Sequence, residues 1–455
     1  MVSSSGLSAS ASLDGPVVVL DNGAGSIKCG LHTDARPLCF QNVSAKSRAE
    51  KFTRFGEDLE QVKDVTGMVL RRPFDRGFLS NSDLQKDIWE SIFRKQLKIQ
   101  NPIKNEVEGL LLTEPVVNLP ACQSAVDEIV FEEFGFKSYL ACPSPLLAAR
   151  HHFNTLAIRG SNNSNGRTTG AGSHQAEANS LAAQACMAGT GLVLDLGYSF
   201  TNAVPIFDNR VVNYGVKRLD FGGKAATNLL REVVSHRSLN VMNEPYVVER
   251  MKEETCFISQ DSGADLRLAQ QSHKAKSPFS LEYVLPDGFT VFRPYIKKDT
   301  EEEGGEGGGG GGGDPQANLQ KSRFAPQIVN MNHERFMVPE VYFNPSDVGM
   351  NQAGIAELVM QSCESLDPSL TSLLLSNVVV VGGSSLFPGF VERLKKELRR
   401  VSPIECEVNV HHCKEGAREY AWHGGKWLVS SGEYKSRAIS KQEYEENGSS
   451  RPFHR

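Results

Sequence analysis

Two stretches of this sequence place an aspartate between a short apolar run and a glycine turn. They read VVVLDNGAGSIKCG at residues 17–30 and LVLDLGYSFTNAVPI at residues 192–206. The apolar runs predict buried strands, which would carry Asp21 and Asp195 to the strand ends. Because Mg²⁺ keeps most of its water, carboxylates at such positions can orient the ion through those waters.

The glycine turn of the first stretch could bind phosphate. Glycines let backbone N–H groups converge on phosphate oxygens because no Cβ blocks the approach. The groups would come from Gly23, Ala24, Gly25 and Ser26, with Lys28 as a point charge. An Asp-Asn-Gly sequence alone more often forms a plain hairpin turn, so only the repetition of the pattern favours a nucleotide.

The residues after the first turn exclude two common nucleotide motifs. Ile27, Cys29 and Leu31 occupy alternate positions, which predicts a second strand. The dinucleotide fingerprint needs a helix there and a GxGxxG spacing that this stretch does not supply, and a Walker A loop is excluded as well. Two strand–turn–strand units about 175 residues apart therefore predict two related lobes with a nucleotide between them.

A third glycine turn follows the apolar run in VVVVGGSSLFPGF, residues 378–390. A strand ending at Gly382 and Gly383 before a helix would present free N–H groups and a positive dipole end to a base or phosphate. A tight, closely packed turn explains the same residues equally well.

Helical patterns alternate with these strands. SDLQKDIWESIF has Ser82 and Gln85 at capping-box spacing, and SAVDEIVFEEFG stops at Gly135 as at a C-cap glycine. LFPGFVERLKKELRR has Phe390 and Leu398 at helical spacing, and its basic cluster indicates a solvated face more than a nuclear-import signal.

Composition limits the classes of protein. The chain has 455 residues, a net charge of −5 and nine cysteines without a CxxC pair. The length allows roughly two to four domains, the charge argues against direct nucleic-acid binding by the bulk of the surface, and the cysteines fit a reducing compartment. We expect neither secretion nor a membrane span, since no apolar run approaches about 20 residues.

One cluster has metal-ligand residue types: Cys406, His411, His412 and Cys413 in ECEVNVHHC. Val408 and Val410 alternate as on a strand, so neighbouring ligands would point to opposite faces. We therefore predict a partly buried strand and no zinc.

Two low-complexity segments interrupt the chain. Residues 160–180 are rich in Ser, Asn and Gly, and residues 301–314 combine acidic residues with a glycine run. Both are predicted to be disordered surface loops. The acidic run is interpreted as a solvated insertion, with docking of a basic partner such as histones as the alternative.

An ordered series of segments resembles actin and the actin-related proteins across nearly the whole chain. The segments are DNGAGSIKCG, GFLSNSDLQKDIWESIF, LLTEPVVN, LDLGYSFTNAVPI, LDFGGKAATNLL, ERMKEETCFIS, YVLPDGF, PEVYFNPSDVGMNQAGI, VVGGSSLFPGF and AWHGGKW. Within the family the chain is most similar to the sixth class of nuclear actin-related proteins, through NVMNEPYVVERMKEE, HERFMVPEVYFNPSDVG, KQEYEENG and an insertion after YVLPDGF.

The resemblance implies an α/β, actin-like fold, with two duplicated lobes of mixed sheets and flanking helices around a central nucleotide cleft. The implied divisions are a disordered tail at 1–15, a first lobe at 16–153 with its upper subdomain at about 45–76, a low-complexity insert at 154–190, a second lobe at 191–415 with a Gly-rich acidic insert at about 297–325, and a C-terminal segment at 416–455 that returns to the first lobe.

By the same resemblance, ATP or ADP would lie in the cleft, with Mg²⁺ held through water by Asp21 and Asp195. The implied nucleotide-binding residues are Asp21, Gly23, Ala24, Gly25, Ser26, Lys28, Asp195, Gly197, Gly223, Lys252, Glu253, Gly382, Gly383 and Ser384.

Five positions depart from the family pattern. Ala24 replaces a serine that donates to the terminal phosphate, Tyr198 a carboxylate, and Ser199 a glycine. Asn202 replaces a histidine that arranges the attacking water, and Pro143 aligns with the glutamine that positions it. Since positioning supplies much of the catalysis of phosphoryl transfer, we predict that hydrolysis is absent or very slow and that the chain is not an enzyme.

The resemblance implies a non-polymerising subunit of a nuclear remodelling complex that exchanges a variant histone and so regulates transcription. The implied partners are a remodelling ATPase, a zinc-finger HIT-type subunit, ring-forming helicases and, indirectly, the nucleosome; the implied location is nuclear, or nuclear and cytoplasmic. A slow ATPase or conformational switch is the alternative. A sugar or acetate kinase is a weaker third, because no separate substrate-phosphorylating base stands out.

Overall fold

Two six-stranded sheets form the centres of two lobes. In a computed structural model of the chain, the described residues are 15–47, 52–99, 107–164, 181–271, 277–297 and 326–449. The strands are β1 (Val17–Asn22), β2 (Ser26–Leu31), β3 (Leu38–Gln41), β4 (Ser44–Lys46), β5 (Arg54–Phe55), β6 (Val69–Arg71), β7 (Phe74–Asp75), β8 (Phe78–Leu79), β9 (Gly109–Glu114), β10 (Ser138–Pro143), β11 (Gly191–Leu196), β12 (Thr201–Phe207), β13 (Arg210–Val211), β14 (Lys217–Leu219), β15 (Leu281–Val284), β16 (Tyr295–Ile296), β17 (Ile328–Met331), β18 (Val378–Val381), β19 (Val410–His412) and β20 (Ile439–Ser440).

The helices flank these sheets. They are α1 (Ser82–Ser91), α2 (Pro120–Glu128), α3 (Ser144–Ser164), α4 (Leu181–Met187), α5 (Gly223–Arg237), α6 (Pro245–Thr255), α7 (Ser262–Gln271), α8 (Glu334–Glu340), α9 (Ile355–Glu364), α10 (Pro368–Leu375), α11 (Phe390–Val401), α12 (Tyr420–Ser430), α13 (Glu433–Arg437) and α14 (Lys441–Asn447).

The two large sheets repeat one plan. The first has the order β20–β10–β9–β1–β2–β3, and the second the order β13–β12–β11–β18–β19, with β14 also paired to β12. In each, an antiparallel hairpin (β1–β2 or β11–β12) begins with a strand that pairs in parallel with a later strand, β9 or β18. This duplication confirms the two related lobes and the α/β fold predicted from the sequence.

Helix α3 joins the lobes because both of its faces are apolar. Leu147 packs in a core with Val19 and Trp422 of the first lobe. Phe153 packs in another core with Val193 of the second sheet. A helix buried on two faces fixes both sheets and therefore the ends of their hairpins.

The three predicted helices are present, with one correction at the first. The side chain of Asn81, not that of Ser82, caps α1 by accepting a hydrogen bond from the Leu84 amide at 2.9 Å. Gln85 is buried and bonds to Asn42 instead of completing a capping box. The predicted cap was therefore wrong by one position, because Asn and Ser cap helices about equally well and Asn81 precedes Ser82.

The other two helices agree with their sequence patterns. Helix α2 continues into one turn of π-helix, Ile129–Glu133. The helical segment ends just before Gly135, whose φ of +69° is the left-handed value that favours glycine. Phe390 and Leu398 are buried on one face of α11, as the spacing predicts.

The strand predicted through the metal-type cluster is present only in part: His411 and His412 lie on an edge strand, β19, parallel to β18, whereas Cys406, Val408 and Cys413 lie outside it. The imidazole of His412 lies 3.0 Å from the Ser385 hydroxyl, whereas the Cys406 sulfur lies 3.3 Å from the Ser372 hydroxyl. These side chains have separate partners, and in the described part of the chain no three His, Cys, Asp or Glu residues are grouped for a metal ion.

Several predictions concern residues outside those described: the tail at 1–14 and most of the two inserts, at 165–180 and 298–325. Helix α3 extends to Ser164, so residues 160–164 of the predicted loop at 160–180 are helical. The C-terminal segment places β20 beside β10 at the edge of the first sheet.

None of the helices among the described residues has the length and apolar content needed to cross a bilayer.

Candidate nucleotide-binding cleft

A cavity of about 430 Å³ lies where the hairpins of the two lobes face each other. This volume falls within the usual range of small-molecule sites. Every residue predicted to bind nucleotide lines it: Asp21, Gly23, Ala24, Gly25, Ser26, Lys28, Asp195, Gly197, Gly223, Lys252, Glu253, Gly382, Gly383 and Ser384. The fold therefore brings together residues separated by more than 350 positions.

The first hairpin holds a buried ion pair at its base. Lys28 lies opposite Asp21 in the β1–β2 register, and their side chains are 3.1 Å apart. Asp21 also accepts a hydrogen bond of 2.8 Å from the hydroxyl of Thr113, which in turn accepts one from the Asn22 amide. The carboxylate is thus fixed at the strand end, as the sequence predicted, and Thr113 of β9 is an additional positioning residue.

The turn of this hairpin requires glycine. A Cβ on Gly23 would lie 2.8 Å from the carbonyl oxygen of Ser26. Asn42 also holds the turn from outside. Its side-chain amide donates to the Gly23 carbonyl at 3.0 Å, and its backbone amide donates to the Gly25 carbonyl at 3.0 Å. The loop is therefore preorganised, which lowers the entropic cost of binding an anion.

A buried polar network supports this turn from α1. The side chain of Asn42 donates to Gln85 at 3.1 Å, and the Trp89 indole donates to the Asn22 side chain at 3.2 Å. Each group would be costly to bury without its partner. No local pattern in the sequence reveals Asn42, because its hydrogen-bond partners lie between 17 and 43 positions away.

The second hairpin carries a carboxyl group with an unusual pKa. Burial and the nearby charge of Asp21 raise the pKa of Asp195 to about 7, although Lys28 opposes this effect. Two carboxylates that face each other in this way fit a divalent cation, because a positive charge between them would offset their repulsion. The donor set therefore fits the predicted Mg²⁺ bound through water.

Tyr198 gives the second hairpin a different surface from that of the first. Its side chain packs directly on Gly25, where a Cβ would lie 2.8 Å from both Cβ and Cγ of the tyrosine. The guanidinium of Arg72 lies over its ring at 4.4 Å from the centroid, and burial raises the pKa of the phenol. An aromatic ring thus lies between the two hairpins, at the position where the resemblance implied a carboxylate.

The residues predicted to surround the base are themselves held by short contacts. The ammonium group of Lys252 donates to the Gly223 carbonyl at 2.9 Å and to the Thr227 hydroxyl at 2.8 Å. Gly382 has a φ of +97°, and a Cβ there would lie 2.3 Å from the Leu196 carbonyl oxygen, so this turn needs glycine. A tight, closely packed turn was one of the two explanations left open for these glycines, and the geometry shows such a turn; binding of a base or phosphate at its surface stays a prediction.

Arg418 is a cleft residue that the sequence did not reveal. Its guanidinium lies 3.7 Å from the Glu253 carboxylate, and its Nε would be 3.4 Å from a Cβ on Gly383. It is about half exposed, facing the cavity. A planar cation at this edge could stack on a base.

The positions that depart from the family pattern are not equivalent. Ala24, Ser199 and Asn202 line the cavity together with Tyr198. Pro143, the last residue of β10, is not among the described residues that line the cavity, although the next two residues, Ser144 and Pro145, are. The backbone of Pro143 is therefore adjacent to the cavity while its ring is not part of the wall.

Comparison with known proteins agrees with this geometry. The family model described as Actin matches residues 12–454. Actin-related protein 6 of Oryza sativa subsp. indica is 39% identical over 96% of this chain and 97% of its own length. The proteins of the same name from Arabidopsis thaliana and Drosophila melanogaster are 37% and 35% identical, over 96% and 95% of this chain and 98% and 97% of their own lengths.

Proposed function

Because this chain belongs to the actin family, as an actin-related protein of the class of actin-related protein 6, we propose that it is a structural subunit of a nuclear ATP-dependent chromatin-remodelling complex. In this proposal the complex deposits a variant histone into nucleosomes and so regulates transcription. The chain itself does not polymerise and does not catalyse the reaction.

The observation that carries the proposal is the pairing of an intact cleft with altered phosphate chemistry. The turns at Gly23 and Gly382 keep geometries that only glycine allows. The hairpin that should place the attacking water presents Tyr198 and Asn202 to the cavity instead of a carboxylate and a histidine. Such a cleft supports binding and a fixed lobe arrangement rather than turnover.

ATP or ADP with Mg²⁺ is the ligand that we propose for the cleft. Backbone amides of the first turn and Lys28 would bind phosphate, while Asp21 and Asp195 would orient the waters of Mg²⁺. The bound ion would neutralise charge between phosphates and carboxylates. The residues of this chain contribute binding and orientation, and none of them is proposed to activate water.

The proposed partners are a remodelling ATPase, a zinc-finger HIT-type subunit and ring-forming helicases, with the histones contacted indirectly. A net charge of −5 supports indirect contact, since the chain lacks the basic footprint of a nucleic-acid-binding protein. The proposed location is the nucleus.

Affinity purification tests this function. The tagged protein would be isolated from its native cells in moderate salt beside a tagged cytoskeletal actin, and the retained proteins identified by mass spectrometry. We expect a large remodelling ATPase, the helicases and the HIT-type subunit with this chain only. Recovery of the protein alone, or with cytoskeletal binders, would contradict the proposal.

A slow ATPase or nucleotide-dependent switch is the second candidate. It is favoured by one observation: the cavity is lined by Asp21, Lys28 and Asp195, and the first two form a buried ion pair. Measurement of phosphate release from Mg·ATP by the full chain separates the candidates. We expect turnover far below that of a filament-forming actin assayed beside it, and a matching rate would favour the enzyme.

A further inference from the structure

The upper part of the first lobe shares a hydrophobic core with the second lobe, above the cavity. Six side chains from residues 43–68, each at most 1% exposed, belong to it: Val43, Ala45, Leu59, Val62, Val65 and Met68. The same core contains second-lobe side chains from α6 and β15, among them Tyr246, Val247, Met251 and Tyr283. Separation of the lobes at this end would expose apolar surface on both sides, which is unfavourable in water.

Backbone groups of the first lobe are also bonded to the second lobe at the same level. The amide of Gly67 donates to both carboxylate oxygens of Glu244, at 2.9 and 3.0 Å. The Arg293 guanidinium donates to the Val62 carbonyl at 2.8 Å and to the Glu60 carbonyl. These bonds join residues at least 177 positions apart in the sequence and satisfy backbone groups that an open cleft would leave to water.

The third layer of contacts between the lobes, after the hydrophobic core and the hydrogen bonds to backbone groups, lies at the phosphate hairpins. Arg72 pairs with Glu249 at 2.9 Å, and both side chains are nearly buried, at 10% and 13% exposed. The same guanidinium donates to the Gly25 carbonyl at 3.0 Å and covers the ring of Tyr198. One cation thus connects the upper first lobe, the first hairpin and two elements of the second lobe.

We propose that these three layers form a clasp, defined as the contacts of residues 43–47 and 52–72 with residues 198–271 and 277–293, that keeps the two lobes closed without nucleotide. The closed state is then a property of the chain's own side chains. A nucleotide in the cavity would exchange only when the clasp opens, so its exchange would be slow and limited by the clasp.

The buried position of the clasp distinguishes it from ordinary surface contacts between lobes. The Lys224–Asp75 pair also joins the lobes, but its side chains are 43% and 63% exposed, and such pairs contribute little because water and salt screen them. Burial of apolar groups and of the Arg72–Glu249 pair makes the clasp layers costly to separate one at a time. Opening should therefore be cooperative.

Hydrogen exchange on the full chain, purified free of nucleotide, tests the proposal. In the wild type we expect the amides of two mostly buried segments, residues 65–68 and residues 246–252, to be as slow as those of β1 and β11, with little change on addition of Mg·ATP. The proposal is overturned if these segments exchange rapidly alone and become protected only with Mg·ATP. Because this comparison needs no variant, it does not depend on the folding of any.

A variant then tests which contacts are responsible. In Glu244→Ala/Arg293→Ala we expect exchange of the two segments to be about tenfold faster or more, with β1 and β11 unchanged. The control is Glu357→Ala/Arg400→Ala, at exposed helix positions, which should behave as the wild type. Should the first variant not fold, Glu249→Gln weakens one layer and should show a smaller acceleration of the same segments.

Equal exchange in the clasp variants and the wild type would overturn the assignment of closure to these residues. Because the measurement uses the isolated chain, its failure would leave the proposed role in a remodelling complex untouched. Failure of the purification experiment would likewise leave the clasp untouched.

Discussion

The two phosphate hairpins occupy equivalent places in the two lobes but hold their carboxylates in opposite ways. Asp21 is balanced by Lys28 at 3.1 Å and by the Thr113 hydroxyl. Asp195 faces the Asn202 position of its partner strand and the charge of Asp21, and its pKa is raised to about 7. Duplication therefore preserved the backbone plan while the electrostatics diverged, so the hairpins should respond differently to the same substitution.

Removal of the carboxylate of the first hairpin should have the largest effect. We expect Asp21→Ala to lower the free energy of unfolding by about 3–5 kcal/mol, because it leaves Lys28 buried without its partner. Denaturant unfolding of the purified chain measures this change. The matched substitution Asp195→Ala should cost much less, since it also removes a repulsion. Equal losses in the two variants would show that the hairpins are electrostatically equivalent.

Contact between the hairpins gives the next largest effect. We expect Gly25→Ala to destabilise the protein by about 1–3 kcal/mol, because the new methyl group overlaps the inner atoms of the Tyr198 side chain. Combination with Tyr198→Gly, which removes both the Cβ and the ring that the new methyl group would overlap, should recover most of this loss, and the double-mutant cycle on unfolding free energies isolates the pairwise interaction. Additive losses would mean that Tyr198 does not separate the hairpins.

The pH dependence of stability should distinguish the hairpins at a smaller scale. The folded pKa of Asp195, about 7, exceeds the ordinary value of 3.8 for an aspartate side chain. Between about pH 4 and pH 7 the folded state therefore holds a proton that the unfolded chain has released, so stability falls as the pH rises through this window and levels off above it. We expect a contribution of about 1–3 kcal/mol after allowance for its partial exposure.

Asp195→Asn provides the control for this pH effect. Its free energy of unfolding should vary less with pH across the window than that of the wild type, and added Mg²⁺ should raise wild-type stability more above pH 7 than near pH 4. Equal slopes of the wild-type and Asp195→Asn profiles between pH 4 and pH 7 would contradict the raised pKa.

Local patterns predicted the parts of the site that local chemistry determines. Alternation around Ile27, the glycine turns and the apolar run before Gly382 each depend on neighbours a few residues away, and the structure places them as expected. The cap of α1 failed for the same local reason, because Asn81 and Ser82 can both cap a helix and spacing alone does not choose between them.

The contacts across the cleft could not be predicted in this way. Arg72 lies in a segment without a recognisable motif, and its partner Glu249 is 177 residues away. Nothing near either residue indicates an ion pair, since Arg and Glu are common on exposed helices and turns. Only the three-dimensional approach of the lobes makes this pair and Tyr198 parts of one cluster.

The smallest predicted effect concerns the outer contact between the hairpin regions. Lys224, which follows Gly223 beside the second hairpin, pairs with Asp75 of the first lobe at 3.1 Å, and both side chains are largely exposed. We expect Lys224→Ala to change the free energy of unfolding by less than about 0.5 kcal/mol, and the change should shrink further in high salt. Arg72→Ala, measured in the same denaturant series, should cost several times more because it breaks a nearly buried pair and uncovers Tyr198. Similar small losses for both variants would mean that the inner contact is as solvent-screened as the outer one, and that the lobes are joined by apolar packing alone.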